Sequence, residues 1–170
     1  MSTTQTHETL KPGLESQVLS AADAAYEAVS QSHEVPLDEV HFTDGMCNPV
    51  TDNMIALLAE SGVTAERTNR VVWPDRKWGP NGEKIAIMSQ AEDQRTLAHA
   101  FGKIIEGSGA DAKMVFFDAT WQQLLPPEER TPEKPKVLFG TPLEIINQAR
   151  TFGIKNKALL DLWSSHRSTS

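Results

Sequence analysis

Cysteine is almost missing from this chain: one residue, Cys47, stands among 170. No intrachain disulfide can form, and nothing points to an oxidising compartment. Positive charge is scarce as well, with 16 Lys and Arg against 23 Asp and Glu and a formal net charge of -7. Nucleic acids and anionic membrane surfaces need clustered Lys and Arg, so neither is expected as a partner. Long apolar runs are lacking too; no stretch approaches the roughly 20 residues of a membrane span. The first residues, MSTTQTHETLKPG, have no apolar segment of the secretory kind. The expected location is therefore the cytoplasm, or outside by a route that needs no Sec signal. Neither repeats nor low-complexity tracts occur.

What is present is an ordinary globular composition, 39% hydrophobic and 23% charged. The length suits one core and is short for two. Residues 1–12 show no periodicity and are expected to form a flexible tail ahead of a single domain over 13–170. Leu14, Val18, Ala22, Tyr26 and Val29 recur at helical spacing, which predicts a helix to about His33. Val35-Pro36 stops it, because the residue before a proline is pushed out of the α region.

A second helix is expected to open near Cys47, after the sharp turn Asp44-Gly45-Met46 and with Pro49 in its first turn. Met54, Ile55, Leu57 and Leu58 would supply its buried face, and Ser61-Gly62 its close. An extended run follows from Thr64 to Trp73, then a loop over Pro74 to Gly82 and a short strand at Ile85 to Met88. Two β-prone runs, Thr96 to Ile105 and Met114 to Trp121, flank the turn chemistry of Glu106 to Asp111, which predicts an antiparallel hairpin. Proline and charge crowd Pro126 to Lys136, the mark of an exposed loop. Val137 to Gly140 reads as an edge strand. Thr141-Pro142-Leu143-Glu144 has the Thr-x-x-Glu form of a capping box and predicts a helix to about Thr151. A last short helix is expected over Lys155 to Ser165, with Leu159, Leu160, Leu162 and Trp163 inward. Helices ahead of and behind an antiparallel sheet make an α+β fold, expected as two packed layers.

Several motifs carry no chemistry. Gly107-Ser108-Gly109 precedes a strand and lacks the Gly-Lys-Ser/Thr of a phosphate loop. His33-Glu34 begins like a zinc-protease signature, yet Pro36 would break the helix it needs. Five scattered histidines and one cysteine give no zinc spacing, so no metal or cofactor is expected.

Cys47, His99 and Asp118 remain. A thiol at a helix N-terminus is acidified by the dipole and the free N–H groups, and further by a neighbouring imidazolium. His99 lies early on the first hairpin strand and Asp118 late on the second, so antiparallel pairing brings the two together. The carboxylate would then orient the imidazole, as the third member of a triad does. His41, near Cys47 along the chain, is the alternative base. Trp121 is expected in the core or as a shield over the His–Asp hydrogen bond. Trp121 and Gln122 are the candidate substrate contacts, with Gln123 beside them.

The order of these pieces resembles the papain-like and transglutaminase-like cysteine enzymes. The matching segments are Gly45-Met46-Cys47 before an amphipathic helix, Leu97-Ala98-His99-Ala100-Phe101, and Phe117-Asp118-Ala119-Thr120-Trp121-Gln122-Gln123. The last is similar to the Asp strand of bacterial papain-like glutamine deamidase toxins and effectors. The resemblance covers roughly residues 40 to 125. It implies a papain-like catalytic domain that acts on a carboxamide in a protein or peptide substrate by deamidation, transglutamination or proteolysis. Papain-like peptidases usually carry a glutamine several positions before the cysteine. The segment here, His41-Phe42-Thr43-Asp44, has no Gln or Asn, which weakens the case for peptidase action and leaves the second oxyanion donor unassigned. A binding module that keeps the fold without turnover is the alternative from another class.

Overall fold

A computed structural model describes residues 13–72, 97–107, 109–155 and 157–163. The tail, the Pro74 to Gly82 loop and the Ile85 to Met88 strand expected above lie outside these residues.

Helix α1 spans Leu14–His33 and buries every apolar residue named for it, with Ala21 and Ala25 between them. It ends at Glu34, whose N–H returns to the Ser30 carbonyl just ahead of Pro36. A 3-10 turn over Leu37–Phe42 follows. Helix α2 spans Cys47–Glu60 and buries Cys47, Val50, Thr51, Met54 and Leu58, one stripe at helical spacing. Ile55 and Leu57, expected in that stripe, flank it half-buried. Gly62, at φ +80, lets the Val63 N–H reach back to the Leu58 carbonyl and closes the helix.

Among the described residues four strands then form one antiparallel sheet in chain order: β1 (Ala65–Val72), β2 (Leu97–Glu106), β3 (Lys113–Asp118) and β4 (Leu138–Gly140). Helix α3 (Pro142–Thr151) starts with Thr141 and Glu144 capping each other's backbone N–H groups and Pro142 in the first turn. A single turn, α4 (Lys157–Leu160), leads to Leu162 and Trp163. Among the described residues no helix is long and apolar enough to cross a membrane.

Strand alternation divides the core in two. Ile104, Val115, Phe117 and Phe139 face α1 and α2. Phe101, Phe116 and Leu138 face α3 and the C-terminal turn, with Trp121 beneath. Helices therefore cover both faces, and three layers replace the expected two. Alternating burial would have looked the same in either arrangement until the C-terminal helices were placed. β3 also stops earlier than expected, at Asp118 rather than Trp121, because the Thr120 N–H turns back to bond the Asp118 carboxylate at 3.1 Å. Trp121–Leu124 becomes a 3-10 turn.

Gly102 lies opposite Phe117 in the β2–β3 ladder, and a Cβ built there would fall inside the Phe117 ring. Gly102→Ala is expected to destabilise the fold by about 2 kcal/mol through overpacking. Urea denaturation measures it; an unchanged midpoint would mean that the ring has room to move.

Candidate active site

The β2–β3 ladder runs from Glu106↔Lys113 only as far as Gly102↔Phe117. β1 continues along β2 past that point, pairing Asn69 with Ala100 and Arg70 with His99. On the side β3 has left, the first turns of α2 take its place. Thr51 Oγ1 donates to the Ala100 carbonyl at 3.5 Å, and the Ala100 N–H bonds the Cys47 sulfur. Cys47 and Thr51 are about one helical turn apart, so one helix face serves both peptide groups. That contact sets Cys47 beside the start of β2, where His99 stands.

His99 and Asp118 both project onto the face that carries Phe101 and Phe116. The His99 ring stacks against Phe101 at 6.4 Å between centroids. Its Nε2 donates to Asp118 Oδ2 at 2.7 Å, with both side chains shut away from solvent. An ionised carboxylate only accepts, so this bond fixes the proton on Nε2 and leaves Nδ1 for the thiol. Trp163 Nε1 donates to the same Oδ2 at 3.1 Å. Thr120 N–H holds Oδ1, so the buried carboxylate has donors from three parts of the chain.

The electrostatics follow from these contacts. Burial alone would depress the His99 pKa, but the charge and hydrogen bond of Asp118, with Cys47 adding to them, raise it to about 10. Burial pushes the Cys47 thiol up. The hydrogen bond and charge of His99 and the Ala100 N–H outweigh that, against a smaller opposing effect of Asp118, and the thiol ends below its ordinary value. Both shifts favour the thiolate–imidazolium form of the pair. Cys47 is also the first residue of α2, with no side-chain cap on the helix and no acidic residue in its first turn. The helix dipole and the free N–H groups at this end add to the lowering.

The approach to Cys47 is tied down by Gly45, Gln123 and Arg130. Gly45, at φ +86, makes the turn. Gln123 Nε2 holds the Thr43 carbonyl at 2.8 Å, and Arg130 holds the Phe42 carbonyl at 3.0 Å while pairing with Asp44. Arg130 also grips the Leu125 and Gln123 carbonyls. The charged loop expected to be merely exposed is thus stitched to the site.

Trp121 and Gln122, expected as substrate contacts, are scaffold in this structure. Both are fully buried. Trp121 Nε1 is taken by the Pro135 carbonyl at 2.8 Å, and both ends of the Gln122 amide are taken by the Thr131 backbone. The indole on the His–Asp pair is that of Trp163, which the sequence marked only as inward-facing. Its partner lies far back along the chain, so local pattern held no sign of it.

His41, the alternative base, is not brought to the triad. Its ring packs near Tyr26 and edge-on to Phe42, and among the described residues neither ring nitrogen has a hydrogen-bond partner. Among the described residues no group of three or more His, Cys, Asp or Glu side chains could hold a metal ion. No family model, no curated protein and no solved structure matches the chain.

His41 carries its own prediction. Burial, with Lys136 adding and Asp38 opposing, lowers its pKa to about 4. The folded protein resists protonating the ring and the unfolded chain does not. Its contribution is therefore complete above pH ~6.5 and lost as pH falls toward 4, about 3 kcal/mol in all. His41→Phe should flatten that loss, so its stability relative to the native protein rises between pH 7 and about pH 4.5. Urea melts at the two pH values test this; an equal difference at both would refute it.

Proposed function

We propose that the protein is a cysteine-dependent amide hydrolase or acyl transferase of papain-like build, and that it deamidates glutamine side chains in a protein or peptide. The observation that carries this reading is the buried 2.7 Å bond from His99 Nε2 to Asp118, beside a thiol at the start of a helix. Buried polar groups of this kind are costly unless each is satisfied, and sites that perturb several at once are enriched in catalysis. The choice of glutamine over other carboxamides rests on the likeness of the Asp118 segment.

The Cys47 thiolate attacks the carboxamide carbon, and the main-chain N–H of Cys47 faces the developing oxyanion. His99 gives its proton to the departing nitrogen, and ammonia leaves behind a thioester. Water then attacks the thioester, His99 takes a proton from it, and the sulfur departs as thiolate. The net change is amide plus water to carboxylic acid plus ammonia. Asp118 keeps the His99 ring in one tautomer and one orientation throughout. An amine in place of water would give transglutamination, and a main-chain amide in the site would give chain cleavage.

Cys47→Ala and His99→Ala are each expected to lower ammonia release from a glutamine-containing peptide pool by about 10⁴-fold. Mass spectrometry should show amide-to-acid exchange with peptide length unchanged; shortened peptides would instead identify a peptidase. Release unaffected by Cys47→Ala would defeat the proposal.

The pH dependence has a definite sign. Thiolate persists above the lowered thiol pKa, and imidazolium persists below about 10. Because Cys47 is the sole cysteine, iodoacetamide labels it unambiguously. Alkylation at pH 6 should be faster in the native protein than in His99→Ala, where only the Ala100 N–H and the helix N-terminus still oppose burial. Equal rates would place the thiol outside the reach of the ring and support a non-catalytic binding module.

A further inference from the structure

The three donors on Asp118 are not equivalent. Among the described residues Thr120 N–H has Oδ1 to itself, whereas His99 Nε2 at 2.7 Å and Trp163 Nε1 at 3.1 Å share Oδ2. An anionic oxygen divided between two donors attracts each less strongly than it would one alone. Trp163 is completely buried and arrives from the C-terminal turn, packed in one cluster with Leu159, Leu160, Leu162 and Phe101. Its indole is therefore held at this oxygen by a separate hydrophobic contact.

His99 has two opposed duties in the reaction proposed above. It must stay protonated to hold the thiolate, and it must release that proton to the departing nitrogen. A carboxylate that grips the imidazolium too strongly serves the first and obstructs the second. We propose that Trp163 is a positioning residue that limits the hold of Asp118 on the His99 proton by sharing Oδ2, so that the C-terminal turn tunes the acidity of the general acid. The inference rests on the Cys47–His99–Asp118 reading. The titratable groups acting on His99 are Asp118 from β3 and Cys47 from α2, and Tyr26 of α1 lies in the field of Asp118. The C-terminal turn contributes the neutral indole.

Trp163→Phe keeps a ring in the cluster and deletes the N–H. The pH midpoint of Cys47 alkylation by iodoacetamide should then move down by roughly half to one unit, part of the roughly one to two units of a charge-assisted hydrogen bond, because the effect reaches the thiol through Asp118 and His99. The His99 ring titration, followed by NMR, should move up in step. Mere loosening of the site would do the reverse and return the thiol toward its ordinary value. A midpoint that rises or stays put overturns the inference. Should Trp163→Phe not fold, the ¹⁵N-labelled native protein gives the answer. Its Trp163 indole N–H resonance must shift when Cys47 is alkylated, since alkylation changes the charge on His99 and His99 shares Oδ2 with the indole, and an unmoved resonance overturns the inference. The two readings fail separately. An ordinary thiol profile in the native protein removes both. An acidic thiol that depends on His99, with no downward shift in Trp163→Phe, removes only the role of Trp163.

Discussion

A carboxylate buried completely must be met by donors, and the fold is arranged around meeting those of Asp118. The imidazole of His99, the indole of Trp163 and the main-chain N–H of Thr120 converge on it from β2, the C-terminal turn and its own strand end. Removing any one leaves charge in an apolar interior at a cost that other parts of the molecule cannot offset cheaply. This single requirement explains why β3 ends where it does, since Asp118 can bond Thr120 N–H only if the chain turns out of the ladder.

The early end of β3 has a second consequence. It strips one side of β2 of its partner at Ala100, and α2 fills the gap with Cys47 and Thr51. A helix packed on one face of the sheet thereby delivers its first residue to a histidine that projects onto the other. Tyr26 on α1 adds to the closure by donating to the Ala119 carbonyl at 2.7 Å. Its hydroxyl is held far from ionisation, by burial first and by the Asp118 charge second. The segment ahead of Cys47 is pinned by Gln123 and Arg130, so the sulfur is located by contacts on both sides of it. The three side chains are thus set in place by the fold itself, the preorganisation that the proposed thiol chemistry would need.

The legible parts of the fold were those with a local cause. The apolar spacing of α1, the capping box of Thr141 and Glu144, and the glycine-bearing turn between β2 and β3 each depend on residues a few positions apart. The approach of His99 to Asp118 was legible for the same reason, because antiparallel pairing converts sequence order into proximity. Trp121 lies in the core, one of the places expected for it, and its polar contact, like that of Gln122, is with the loop that follows. An indole and an amide look alike in sequence whether they face a substrate or the backbone of Thr131 and Pro135. The charged stretch Pro126 to Lys136 misled similarly, since composition shows charge but not that Arg130 reaches back to Phe42 and Asp44.

The amino-acid order by itself determined the element types, the antiparallel hairpin and the placement of a lone thiol at a helix start, because these obey periodicity, capping and turn chemistry within a few residues. Only the tertiary structure decided that helices would cover both faces of the sheet, that Trp163 rather than Trp121 would share the carboxylate with His99, and that His41 would be sealed away from the site. Those outcomes depend on which distant surfaces bury each other and on which donors a buried charge can reach, and neither is written in any local stretch of the chain.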